Sequence, residues 1–186
     1  MDEKTEKILK SLNTKKAGVF CDDSNLFHSY KKYGWRIDLG KLKNFLEDYC
    51  DLQFINYYIA VPDKSDADYK GAQDFIQCIS PYVNLKKKAL KYIYFGGHRT
   101  RKGDVDVEIV LDVVRAIDNL DVILIVSGDS DFLELKNYVV NEKYKQIVFL
   151  GYKENLAWEL RLCRHIYLNK IKDIICFDNP KSKPRV

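Results

Sequence analysis

Ile123-Leu-Ile-Val-Ser-Gly-Asp-Ser-Asp-Phe132 joins an apolar, β-branched run to an acidic turn. Val122 to Val126 contains no polar residue, which predicts a strand covered on both faces, as in a parallel sheet. The run stops at Ser127-Gly128, carboxylates follow at Asp129 and Asp131, and a helical pattern resumes at Phe132. In open α/β sheets, ligands bind outside the carboxyl ends of the strands. Two acids, a hydroxyl and a glycine stand at that place here. Asp131 with Glu134 three residues later also fits a helix N-cap and capping box. The turn alone leaves both readings open.

Working outward, the same grammar recurs. Ala17 to Cys21 is a short apolar strand that ends at Asp22-Asp23-Ser24-Asn25 and runs into a helix from Leu26. A helix starting near Asp38 follows, then a strand from Gln53 to Val61 closed by Pro62, and a helix from Tyr69 to Ile79 stopped by Pro81. Ala89 to Phe95 predicts a third strand with Gly96-Gly97 behind it, and Asp104 to Ile117 a helix with a broad apolar face. After the Val122 strand come a helix over 132–142, a fifth strand over 146–150, a helix over 155–164 and a last short strand over 165–168. Strands alternating with helices predict an α/β fold: a central, mainly parallel sheet of five or six strands flanked by helices. Residues 1–16 read as an amphipathic lead-in helix, 17–178 as the domain, and 179–186 as a basic, proline-bearing disordered tail.

The composition agrees. With 186 residues, 46% hydrophobic and 31% charged, the chain fits one soluble globular domain. No apolar run has membrane-spanning length and the N-terminus is too charged for a secretory signal, so a cytoplasmic protein with no membrane partner is expected. Five cysteines without a CxxC pair predict reduced, mostly buried thiols. The net charge of +4 permits a nucleic-acid partner without requiring one.

Parallel strands present their carboxyl ends on one edge. If the strands before Asp22-Asp23 and Asp129–Asp131 are neighbours, three or four carboxylates share one crevice. Such crowding is costly unless a cation occupies it. Oxygen-only ligation suits Mg²⁺ or Mn²⁺ better than zinc. Asp106, in the first turn of its helix, either joins this cluster or complements the helix dipole.

Val19-Phe-Cys-Asp-Asp-Ser-Asn-Leu26, Asp106-Val-Glu-Ile-Val-Leu-Asp112 and Val126-Ser-Gly-Asp-Ser-Asp-Phe132, in this order, resemble the NYN (LabA-like) branch of the PIN-like nucleases, from about Gly18 to about Leu168. The resemblance implies a PIN-like, Rossmann-related three-layer fold and a Mg²⁺- or Mn²⁺-dependent ribonuclease. Such an enzyme hydrolyses RNA phosphodiester bonds with metal-activated water. Carried over, Asp22, Asp106, Asp129 and Asp131 are the catalytic and metal-holding acids, with Asn25 and Ser127 orienting ligands or phosphate oxygens. Asp112 matches a further family acid. It lies roughly 240° around the helix from Asp106 at about 100° per residue, which favours a structural hydrogen bond there. Asp23 stands where the family usually has glycine, and one extra residue precedes Asp106. Arg99, Arg101 and Lys102, just before Asp106, are placed to contact phosphate; Lys86 to Lys88 read as solvated surface. PIN-like domains often dimerise, which extends the resemblance to a homodimer. The alternative is a catalytically silent RNA-binding or regulatory protein of the same family. An aspartyl-phosphate enzyme is disfavoured, because Asp22-Asp23-Ser24 lacks Asp-x-Asp.

Overall fold

In the computed structural model, which describes residues 1–177, the chain begins α1 (Glu3–Lys10), β1 (Lys16–Asp22), α2 (Asp23–Tyr33), α3 (Leu39–Glu47), β2 (Asp51–Val61), α4 (Tyr69–Ile79) and β3 (Asn84–Ala89). It continues β4 (Lys91–Phe95), β5 (His98–Lys102), α5 (Asp106–Ala116), β6 (Val122–Val126) and α6 (Leu133–Asn137). Last come β7 (Gln146–Gly151), α7 (Trp158–Arg161), β8 (His165–Tyr167) and α8 (Lys172–Ile175). The expected tail at 179–186 lies outside the described residues.

Six strands form one sheet in the order β3-β2-β1-β6-β7-β8, with every neighbouring pair parallel. All five residues of β6 are buried, as its wholly apolar sequence requires of a strand with helices on both faces. Alternation divides the sheet's side chains between two cores. Val19, Cys21, Leu124 and Val126 pack with Leu9, Leu42, Ile76 and Ile175 on one side. Phe20, Ile123, Ile125 and Phe149 pack with Ile109, Val113, Phe132 and Leu160 on the other. The result is the three-layer α/β fold. Strand order turns at the β1/β6 pair, where Cys21 lies beside Val126. Such a switch point opens a crevice beyond the carboxyl ends of the two strands.

Several expectations need correction. The third strand of the sheet is Asn84–Ala89, not 89–95. It is an edge strand carrying Lys86, Lys87 and Lys88, and lysines on an edge discourage pairing with other chains; that charge hid the strand. Lys91–Phe95 instead pairs antiparallel with His98–Lys102 in a separate hairpin. The helix expected over 155–164 contracts to four residues, Trp158–Arg161. The stretch 132–142 is helical but passes from a 3₁₀ turn through α6 into a π-helical turn, Tyr138–Glu142. The five cysteines are free thiols, but only Cys21 and Cys50 are buried and Cys78 is exposed. Among the described residues, no helix is long and apolar enough to cross a membrane. The lead-in helix α1 seats Ile8 and Leu9 in the first core, with Leu12 just after it.

The hairpin is tethered at its root rather than loose. Tyr92 donates its hydroxyl to Asp66 Oδ2 at 2.9 Å, and Arg99 reaches the same oxygen at 2.9 Å. Arg101 binds Asp66 Oδ1 at 2.7 Å and also pairs with Asp68. The backbone N–H of Asp68 holds the Asp66 carboxyl below its usual range against burial, and Tyr92 and the two guanidinium groups add to this. The tip is Gly96-Gly97, both at positive φ. Replacing Asp66 by Asn is expected to speed tryptic cleavage after Arg99, Arg101 and Lys102 by roughly tenfold or more, since charge-assisted bonds that keep the hairpin closed are lost. Equal digestion rates would show that other contacts hold it.

Candidate active site

The site forms where β1 and β6 end. Asp22 closes β1 and caps α2, its Oδ1 accepting the Asn25 N–H at 3.2 Å. Its Oδ2 accepts the Ser127 hydroxyl at 3.0 Å, tying the two turns together. Asn25 Oδ1 accepts the Gly128 N–H at 3.0 Å and the Asn155 Nδ2–H at 3.3 Å. Asn155 Nδ2 also donates to Ser29 Oγ at 2.9 Å. Asn25 and Ser127 therefore sit behind the carboxylates and fix the turns that carry them.

Asp129, in extended backbone, accepts the Asp131 N–H at 3.0 Å and caps the following 3₁₀ turn. Of the two readings the turn left open, the cap falls two residues before Asp131, at Asp129, which is the last residue before the helical backbone begins. Asp131 is exposed. Asp106 opens α5.

Asp22, Asp106 and Asp129 line one cavity of about 250 Å³, together with Ser24, Asn25, His28, Asp104 and Asn155. Asp131 is not in its wall. The electrostatics record the crowding. Burial of Asp22, which is 3% exposed, pushes its carboxyl up to about 6, and the charges of Asp106 and Asp23 add to this. The hydrogen bonds from Asn25 and Ser127 act the other way. Asp106 is also raised, first by burial and then by repulsion from Asp129, Asp104 and Asp131.

Among the described residues, no three His, Cys, Asp or Glu side chains stand close enough together to hold a metal ion. The donors are nevertheless hard oxygens, mutually repelling, around a space with room for solvent. Mg²⁺ keeps several waters when it binds proteins through one or two carboxylates. The donor set fits a hydrated Mg²⁺ or Mn²⁺.

Two acids point elsewhere. Successive residues are about 100° apart around a helix, so Asp23 leaves Asp22's direction and accepts the Tyr57 hydroxyl at 2.6 Å within the buried interior. Asp112 accepts the Tyr58 hydroxyl at 3.0 Å and pairs with Lys86 and Arg115. Burial pushes its carboxyl up, but hydrogen bonds from Lys86, Tyr58 and Arg115 outweigh this and hold it below the usual range. Arg99 and Arg101 are engaged by Asp66 and Asp68, and Lys102 lies 3.4 Å from Asp104. Asn155, Ser24 and Asp104 escaped the sequence reading. Asn155 lies in the loop beyond β7, with no local pattern to mark it; the acid-rich turn Asp22–Asn25 was the available signal for Ser24.

The comparisons agree with this architecture. A profile of the NYN domain matches residues 16–169. The low amplitude and bright protein LabA of Synechococcus elongatus is 28% identical over 162 residues, covering 84% of this chain and 86% of that protein. A crystal structure of a protein of unknown function from Vibrio parahaemolyticus matches with a TM-score of 0.70 at 19% identity, over 89% of this chain and 98% of that one. At that identity, the likeness is one of fold. With its model matched over most of the described residues, the chain belongs to the NYN domain family.

Proposed function

We propose that the protein is a Mg²⁺- or Mn²⁺-dependent ribonuclease that hydrolyses RNA phosphodiester bonds. The observation that carries this reading is the convergence of Asp22, Asp106 and Asp129, from three separate elements, on one cavity at the switch point of the sheet. A pure binding surface for RNA has no use for carboxylates that repel both one another and phosphate. A divalent ion bound there would offset their charge, screen the phosphate and lower the pKa of water.

The chain's own residues supply the rest. One or two of the carboxylates of Asp22, Asp106 and Asp129 would bind the ion directly and the remainder through its waters, with Asp131 close enough to act on the cavity through its charge. Ser127 and Asn25 keep Asp22 and the β6 turn in register through the bonds described above. In hydrolysis a water oxygen bonds to phosphorus, the ester bond to the leaving sugar oxygen breaks, and that oxygen takes up a proton.

Labelled single-stranded and structured RNAs, incubated with Mn²⁺, Mg²⁺ or EDTA, test the reading. Cutting is expected with an ion and none with EDTA. A folded protein that cuts nothing under any ion would overturn it in favour of an RNA-binding regulator. Ion binding should also depend on pH. Because the Asp22 carboxyl stands near 6, Mn²⁺ affinity measured by calorimetry is expected to fall by up to about tenfold per pH unit below that value, as protons compete for the ligand. A flat profile between pH 5 and 7.5 would exclude Asp22 as a donor.

A further inference from the structure

We infer that His28 is a catalytic residue, the general acid that hands a proton to the leaving sugar oxygen. The inference rests on the ribonuclease reading for the reaction, and on the wall of the acidic cavity for the residue. Four carboxylates stand in that wall, Asp22, Asp104, Asp106 and Asp129, beside the neutral groups of Ser24, Asn25 and Asn155. Imidazole is the side chain that most readily takes and gives a proton near neutrality, and among the described residues of the wall His28 alone carries one. The carboxylates are poor donors. Those that bind the ion do so ionised. Both oxygens of Asp22 already accept hydrogen bonds, from Asn25 and Ser127, and Asp104 lies 3.4 Å from the Lys102 ammonium.

The placement follows from the helix. Ser24 and His28 stand one turn apart on α2, about 40° around the axis at about 100° per residue, so both face the same side. Both line the acidic cavity and also a second one of about 380 Å³ that adjoins it. His28 therefore stands at the rim of the ion site, where the two spaces meet, and not in its floor. The turn that carries it is pinned: Asn155 donates to Asn25 Oδ1 and Ser29 Oγ, on either side of His28 in the chain. The Phe27 ring backs the imidazole edge-to-face, with centroids 6.1 Å apart. The side chain is exposed, so solvent can recharge it between turnovers. In the step, a water oxygen bonds to phosphorus and its proton passes to solvent. The electron pair of the broken ester bond goes to the leaving oxygen, which takes the proton of a His28 ring N–H. His28 then regains a proton from solvent, which cancels the one that water released.

The test compares two substrates with Mn²⁺ present. The sugar oxygen of an RNA oligomer needs a proton to leave, whereas the nitrophenolate of bis(p-nitrophenyl) phosphate leaves without one. His28→Ala is expected to lower kcat/KM for RNA by roughly a hundredfold or more beyond any loss on the aryl diester, the usual size of a general-acid contribution. Imidazole added to the variant should restore part of the RNA rate. Calorimetry should give the variant the Mn²⁺ affinity of the parent, and thermal unfolding the same midpoint, since the side chain is exposed. Equal losses on the two substrates would make His28 structural and overturn the proposal. A loss of Mn²⁺ affinity would make it an ion ligand and overturn it too, and an undiminished RNA rate would assign the proton to water. A parent that cuts no RNA refutes the ribonuclease reading, and the proposal falls with it.

Discussion

Asp22→Asn is expected to stabilise the ion-free protein at pH 7.5 and to lower the proposed cleavage of RNA steeply. The Asp22 carboxyl is raised from an ordinary 3.8 to about 6 in the folded chain. Between those values the folded protein holds a proton that the unfolded chain has released, so this group makes stability fall as pH rises through the window. The gap is worth about 3 kcal/mol. Asparagine keeps an oxygen for the Asn25 N–H and places an amide where Ser127 now donates. Part of the gap, about 1–3 kcal/mol, should therefore be recovered at pH 7.5 and none near pH 4. Urea unfolding of both proteins in EDTA at the two pH values measures this, and the other carboxylates cancel in the difference. Catalysis should fall by more than the roughly 10–100-fold typical of losing an outer partner of a metal ligand. A variant as active as the parent would remove Asp22 from the chemistry; equal stabilities at both pH values would mean its charge is not buried.

That trade also shows what the sequence could reveal. The strand Val122–Val126 and the acids after it were legible because an uninterrupted apolar run followed by a polar break has few structural solutions. The adjacency of β1 and β6 is not legible in the sequence, since periodicity finds strands without ordering them. β3 was hidden because Lys86, Lys87 and Lys88 on an edge look like any solvated surface. Asp23 could not be separated from Asp22 by composition; only the start of α2 sends one to the cavity and the other to Tyr57. Asn155 was invisible for a different reason. Its partners, Asn25 and Ser29, are 130 and 126 residues away in the chain.

Gly128→Ala carries the second large effect. A Cβ there would lie 2.5 Å from the carbonyl oxygen of Asn155, 3.0 Å from its carbon and 3.1 Å from Leu156 Cα. All three are backbone atoms, so no side-chain rotation relieves the clash. The same two segments are clasped by the Ala157 N–H donating to Gly128 O at 2.9 Å, and Gly128 donates in turn to Asn25. Making room for one methyl group must therefore move the turn from Ser127 to Asp129. Overpacking of this kind costs about 1–3 kcal/mol. A misplacement approaching 1 Å at a reacting centre can lower turnover on the order of a hundredfold. Thermal unfolding and single-turnover cleavage of the variant check the two halves. Unchanged stability would show that the loop beyond β7 yields freely, and unchanged turnover with reduced stability would place the β6 turn outside the reaction.

The pairing of β1 with β6 also sets the order of events during synthesis. Asp22 and Ser127 are separated by 105 positions, and closing so long a loop into a parallel pair is entropically costly and slow. While the ribosome is still producing the residues before Val122, the first strand and its carboxylate already exist, but the turn that completes the cavity does not. On the ribonuclease reading, a nascent chain thus carries half of an acidic cluster beside its own messenger RNA without the means to cut it. Competence arrives late, with the emergence of a single buried strand.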